Sequence, residues 1–77
     1  MSITVHYFAS LKERLGRASD SVDFSPNLTV LDIWRLANPE HPLPAPILVA
    51  VNMDYVSLSN PVADGDTVAF FPPVTGG

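Results

Sequence analysis

The sequence predicts an α+β domain, a single small sheet curled over one main helix. Three observations carry that prediction. Alternating β-branched and aromatic residues stand near both ends of the chain, at Ile3–Phe8 and Thr67–Phe71. One amphipathic helical segment, opening at Thr29, lies between them. The length of 77 residues suffices for one domain and is too short for two. A chain this small buries only about 60% of its unfolded surface, so the core must be compact. An apolar fraction of 47% supports such a core despite eight prolines, which argues against disorder. We therefore expect residues 1–77 to form one domain of four to five strands, with 73–77 projecting as a flexible tail.

Taken in order, Ile3 to Phe8 reads as a strand with Ile3, Val5 and Tyr7 on one face. Ser10 with Glu13 three residues later fits a capping box that opens a short helix. Leu11 and Leu15 share one face of it, and Gly16 suits its left-handed end. Asp20 to Phe24 forms the second strand, with Val22 and Phe24 facing the same way, and Ser25-Pro26-Asn27 closes it. Thr29 caps the main helix, and Asp32 complements the positive end of its dipole. Val30, Ile33, Trp34 and Ala37 fall at i, i+3, i+4 and i+7, one apolar stripe. Asn38-Pro39 stops the helix. Four prolines between Pro39 and Pro46 then exclude both helix and central strand, leaving a stiff surface connector.

Ile47 to Val51 is a continuous apolar run, as in a central strand covered on both faces. Asn52-Met53-Asp54 turns the chain into a short return strand at Tyr55-Val56. Asp64-Gly65-Asp66 is a strong turn signal. Thr67 to Phe71 is the last strand, with Val68 and Phe70 on one face and Ala69 and Phe71 on the other. Pro72-Pro73 ends it, because proline cannot donate to a strand ladder.

Composition removes several classes of function. There is no cysteine, hence no disulfide, thiolate metal site, cysteine nucleophile or persulfide. The net charge is −4, and the only cations are Lys12, Arg14, Arg17 and Arg35. Nucleic-acid binding needs a basic stripe, which is absent. No apolar run approaches the roughly 20 residues that cross a membrane. The expectation is a cytoplasmic protein that docks on other proteins. His6 and His41 lack metal-ligand or triad spacing, so surface or half-buried packing is favoured for both. Asp64 and Asp66 flank a turn glycine without the other ligands of a calcium loop. Ser57, Ser59 and Asn60 also read as turn residues, and Trp34 as core. No phosphate-cradling glycine motif occurs. The chain is not expected to catalyse anything alone or to hold a permanent cofactor or metal.

The last residues differ in character. Pro72 and Pro73 stiffen the exit from the sheet, and Gly76-Gly77 can enter a narrow cleft without side chains. The α-carboxylate of Gly77 has a reference pKa of about 3.5 and is ionised at neutral pH, ready to attack an activated phosphate. Joined to AMP by a partner and then attacked by a sulfur donor, it would become a thiocarboxylate. Phe71 is the candidate exposed anchor, since alternation sets it opposite Phe70, with core packing as its rival reading. A frayed terminus that happens to end in two glycines is the alternative for the pair considered alone.

The stretch Val51-Asn52, followed by Asp64-Gly65-Asp66-Thr67-Val68-Ala69-Phe70-Phe71-Pro72-Pro73-Val74-Thr75-Gly76-Gly77, closely resembles the small subunits of molybdopterin synthase. Val5-His6-Tyr7-Phe8-Ala9, with Leu11, Glu13 and Gly16, resembles the same family's first strand and helix. The resemblance is tight over the last quarter and loose between Ala18 and Pro46. It implies a ubiquitin-like β-grasp fold and a sulfur carrier of molybdenum cofactor biosynthesis. It further implies that Gly77 is adenylated by an enzyme related to ubiquitin-activating enzymes, which uses ATP, and is then sulfurated by a sulfur donor protein. Gly76 and Thr75 would let the tail thread into a large catalytic subunit, in an assembly of two small and two large subunits. Phe71, Pro72, Pro73 and Val74 would contact the partners. A carrier for thiamine or another pathway, a protein modifier joined through Gly77, and a plain interaction module remain as alternatives. The proline-rich connector departs from the family, where more helical character is expected.

Overall fold

The computed structural model describes residues 1–72. Along the chain run β1 (Ser2–Tyr7), α1 (Ser10–Leu15), β2 (Ser19–Asp23), α2 (Val30–Ala37), β3 (Leu48–Val51), β4 (Asp54–Val56) and β5 (Thr67–Phe71). The strands form one five-stranded sheet in the order β2-β1-β5-β3-β4. Only β1 and β5 pair in parallel; β1–β2, β3–β5 and β3–β4 are antiparallel.

Period-two alternation builds the core. Ile3, Val5 and Tyr7 of β1 and Val68 and Phe70 of β5 are buried on one face of the sheet. Val30, Ile33 and Trp34 of α2 and Leu11 of α1 pack in the same cluster. Trp34 meets Phe70 edge-on at a centroid distance of 5.1 Å, and Tyr7 at 6.0 Å, the favoured geometry for aromatic pairs. Burying each large side chain is worth about 1.5–3 kcal/mol, so the stripe on α2 is what holds the sheet curled. Thr29 caps that helix in a full capping box: its backbone N–H donates to Asp32 Oδ2 at 3.0 Å, and the Asp32 N–H donates to Thr29 Oγ1 at 3.3 Å.

A polar network closes the inner face at the end of α2. Asn38 is only 2% exposed, and burying an amide costs energy unless its groups are bonded. Here Asn38 Nδ2 donates to Tyr7 Oη at 3.0 Å, and Tyr7 Oη donates to Asp20 Oδ2 at 2.9 Å. Arg17 donates to Asp20, to Asn38 Oδ1 and to the Ala37 carbonyl, with its guanidinium 5.3 Å from the Tyr7 ring centroid. Burial pushes the Tyr7 hydroxyl pKa up, and the hydrogen bond with Asp20 adds to this while that with Asn38 opposes it. Asp20 holds the Arg17 pKa above its ordinary value, chiefly through their hydrogen bond. Three segments distant in the chain are tied by this one cluster.

The turns follow residue chemistry. Asn52 and Met53 adopt φ of 49° and 74°, the pair of positive values that a two-residue hairpin requires. Gly65 has φ of 85°, a conformation disfavoured for other residues. Asp66 accepts from the Ala63 N–H at 2.8 Å and from Asn52 Nδ2 at 2.9 Å. Its carboxylate is therefore used in turn bonding, as the sequence suggests.

Several expectations need correction. Ser10 does not cap α1: the N-cap is Ala9, with φ of 54° and no side-chain bond. The Phe8 N–H still belongs to the sheet, donating to the Phe70 carbonyl at 3.1 Å, so the chain must turn at Ala9 and the helix already includes Ser10. β3 pairs with a strand on each side, but both helices pack on one face. Ala50 is buried because its small side chain lies in register between Tyr55 and Ala69. The proline-rich connector forms neither helix nor strand, yet it is more than a surface spacer. Leu43 packs on the core, and Trp34 Nε1 donates to the His41 carbonyl at 2.9 Å. The expected projecting tail, 73–77, lies outside the described residues.

Asn38→Ala should destabilise the fold by about 1–3 kcal/mol, because it removes the bond that the Tyr7 hydroxyl accepts and the acceptor of an Arg17 N–H. Urea unfolding should show this as a lower midpoint with an unchanged slope; an unaltered midpoint would mean that the network adds nothing. The Asp32 carboxyl is held below the usual carboxylate range, first by the Thr29 backbone N–H and then by its hydroxyl. A carboxyl depressed in the fold stabilises it above the unfolded-state pKa, and that stabilisation is lost as pH falls through the folded value. Asp32→Asn should accordingly lower Tm at neutral pH, with the difference shrinking in acid; a difference independent of pH would contradict the charge-assisted cap.

Candidate functional site

The parallel register pairs Tyr7 with Phe70, and both rings point into the core. The next residue on each strand must point the other way, so Phe8 and Phe71 emerge together on the outer face. Their ring centroids are 6.2 Å apart in an edge-to-face arrangement. β3 extends the same face, since Leu48 pairs with Phe71 and Ala50 with Tyr55. Tyr55 stands 5.6 Å from Phe71, and His6 stands 6.2 Å from Phe8. His6, Phe8, Phe71 and Tyr55 thus form a continuous aromatic row across the outer face of the sheet.

This row faces solvent. Phe8 is 50% exposed and Tyr55 is 72% exposed, while Phe71 and Pro72 are half-buried. Neither helix covers the outer face: the buried residues of both belong to the core cluster on the inner one. Exposed apolar patches on small proteins mark interaction surfaces, and aromatic residues are frequent anchors there. All four side-chain cations lie on α1, on the loop after it, or on α2, namely Lys12, Arg14, Arg17 and Arg35. The strands of the patch carry none. No group of three or more metal-ligating side chains occurs among the described residues. His41 lies in the connector, and His6 joins the row beside Phe8. The arrangement suits recognition and offers no assembled acid, base or nucleophile.

Of the residues singled out from the sequence, Phe71 stands in this row, and the half-buried Pro72 follows it in the chain. Phe71 occupies the face opposite Phe70, as alternation predicts, and Phe70 alone is fully buried. Pro73, Val74, Thr75, Gly76 and Gly77 lie outside the described residues. Phe8 and Tyr55 complete the row without having been singled out as site residues. Strand parity alone sets Phe8 opposite Tyr7, but only the register of two strands far apart in sequence brings it to Phe71. No helix among the described residues is long and apolar enough to cross a membrane.

Comparison with known proteins bears on the family and the fold. A family model described as the ThiS family matches residues 5–77. The molybdopterin synthase sulfur carrier subunit of Escherichia coli is 42% identical over 85 residues, covering 97% of this chain and 99% of that protein. The protein of the same name from Homo sapiens is 30% identical over 82 residues, covering 97% and 93%. Among solved structures, SAMP1 from Haloferax volcanii matches with a TM-score of 0.84 at 30% identity, covering 100% of both chains. The fold is the ubiquitin-like β-grasp that the sequence leads one to expect. By its family model and by relatives matched along nearly their whole length, the chain belongs to the ThiS family, together with the molybdopterin synthase sulfur carrier subunits.

Proposed function

We propose that the protein is a sulfur carrier of molybdenum cofactor biosynthesis, and that the carboxylate of Gly77 is its working group. The observation that carries this reading is the position of Phe71 and Pro72: the last strand ends at the margin of an exposed aromatic row. That row is a surface suited to a partner. Identity of 42% with a molybdopterin synthase sulfur carrier subunit supports the same reading.

The chemistry follows from the carboxylate. One of its oxygens attacks the α-phosphorus of ATP bound by an activating enzyme, pyrophosphate leaves, and an acyl-adenylate forms. A sulfide equivalent from a sulfur donor protein then adds to the carbonyl carbon and expels AMP, leaving a thiocarboxylate. The chain supplies no thiol, so the ATP and the sulfur both come from partners. The large catalytic subunit would receive the tail, with Pro73, Val74 and Thr75 along the channel and Gly76 giving it the narrowest profile. Phe71, together with Phe8 and Tyr55, would anchor the pair, two of each subunit forming the assembly. The cycle would run in the cytoplasm and would need no permanent cofactor on this chain. A second reading has support of its own: a solved structure at 28% identity and a TM-score of 0.82 is named a small archaeal modifier protein. Conjugation of Gly77 to lysines passes through the same acyl-adenylate.

Intact-mass analysis of protein isolated from its own cell should show a fraction with one oxygen replaced by sulfur at Gly77. Only unmodified chains, even after supply of activating enzyme, ATP and sulfur donor, would refute the carrier, while adducts on target lysines would favour the modifier. Deletion of Gly77 should abolish sulfur transfer and leave Tm nearly unchanged. Phe71→Ala should weaken binding to the large subunit by up to about 2 kcal/mol and cost less than that in folding stability. The opposite ranking, measured by calorimetric titration and urea unfolding, would make Phe71 a core residue.

A further inference from the structure

The edge of the sheet farthest from β3 and β4 is formed by β2. The Tyr7 N–H donates to the Ala18 carbonyl at 2.9 Å, and the Phe24 N–H donates to the Met1 carbonyl at 3.3 Å. These bonds bracket the antiparallel ladder of β1 and β2, whose register pairs Ile3 with Val22 and Val5 with Asp20. Backbone groups alternate in such a ladder between facing the partner strand and facing away. Asp20 and Val22 therefore bond to β1, and Ser19, Ser21 and Asp23 turn their N–H and C=O groups outward. All three residues are exposed.

An open edge is normally blunted by brevity, by charged side chains (lysine above all), by bulges or by proline. The opposite edge, β4, is only three residues long, whereas β2 has five residues, Ser-Asp-Ser-Val-Asp, with neither lysine nor proline. Alongside it, on the inner side, runs a groove of about 360 Å³ between β2 and α2, lined by Asp20, Ser21, Val22, Asp23, Leu36 and Ala37. Leu36 is 56% exposed, the most exposed large apolar side chain of α2. Strand parity, with Val22 on the inner face, turns the Asp23 side chain towards the outer side of this edge. Among the described residues the only ion pair is Arg17 with Asp20, which leaves Asp23 without a cation.

From these features we infer that the β2 edge and its groove form a docking site for an extended segment of a partner protein in which apolar and basic residues alternate. Such a segment would add as a sixth strand. Its main chain would bond to Ser19, Ser21 and Asp23, its apolar side chains would cover Leu36 and Ala37, and its basic ones would face Asp23. Added strands take affinity from main-chain bonds and specificity from alternate side chains. A second copy of this chain fits worse: its β2 brings no cation, and two chains of net charge −4 repel. β1 separates β2 from β5 in the sheet, so the aromatic row stays open while this edge is occupied. The inference does not depend on the sulfur-carrier reading.

The probe is a synthetic peptide alternating lysine and valine, titrated into the full chain and followed by amide hydrogen exchange. The amides of Ser19, Ser21 and Asp23 should slow by about tenfold or more as they gain bonds, with Asp20 and Val22 little changed. Ser21→Pro, which removes an outward N–H and takes no bond from β1, should abolish the effect. Asp23→Lys should reverse the preference, towards a peptide alternating glutamate and valine. The proposal is overturned by protection centred on Phe8, Tyr55 and Phe71, by binding indifferent to peptide charge, or by no protection at millimolar peptide. It is equally overturned if sedimentation shows a dimer of the free chain that already protects these three amides.

Discussion

Side by side in the middle of the sheet, β1 and β5 pair in parallel although α1, β2, α2, β3 and β4 all lie between them in the chain. Everything else in the molecule depends on that pairing. A parallel contact between distant segments carries a closure cost, and the residues on its inner face supply the offset: Ile3, Val5, Tyr7, Val68 and Phe70, all buried under Trp34 and Ile33. The register that aligns Tyr7 with Phe70 inside also aligns Phe8 with Phe71 outside. One constraint thus sets both the core and the exposed aromatic row, and it fixes the point where the chain leaves the sheet at Pro72.

The division between the two faces is sharp because the side-chain period of a strand is two. A slip of one residue would exchange Tyr7 with Phe8 and Phe70 with Phe71. The inner members of these pairs have partners that the outer ones lack. Tyr7 Oη reaches Asn38 and Asp20, and Phe70 packs edge-on to Trp34. A phenylalanine cannot make the Tyr7 hydrogen bonds, so a slipped register would leave the buried Asn38 Nδ2 without the acceptor it has in Tyr7. The polar network therefore pins the register as well as adding stability, and it keeps the outer aromatic row available to partners.

Much of this was legible in the residues themselves. Alternation in Ile3–Phe8 and Thr67–Phe71, the stripe Val30, Ile33, Trp34 and Ala37, and the Thr29 cap are local patterns with local causes, and each is found in the structure. The left-handed end at Gly16 and the turns at Asn52 and Gly65 are of the same kind. Ser10 misled because its capping signature competes with a backbone bond from Phe8 to a strand that lies far away in sequence. Asn38 read only as a helix stop, since nothing local reveals that it will be buried between Tyr7 and Arg17. Phe8 and Tyr55 were missed as site residues for a related reason. Which outward residues become neighbours is decided by strand order, and strand order is set by tertiary packing. The chemistry proposed for Gly77 was read from the sequence and its resemblance, and residues 73–77 lie beyond the described part of the fold.

The proposed sulfur-carrier cycle starts with activation of the Gly77 carboxylate by another protein. ATP–pyrophosphate exchange by the activating enzyme, measured with the intact chain and with a chain lacking Gly77, tests it most directly. The account predicts exchange that depends on the intact chain and disappears without Gly77, while the shortened chain stays folded. Exchange that persists at the same rate without Gly77, or that the intact chain never supports, would contradict it.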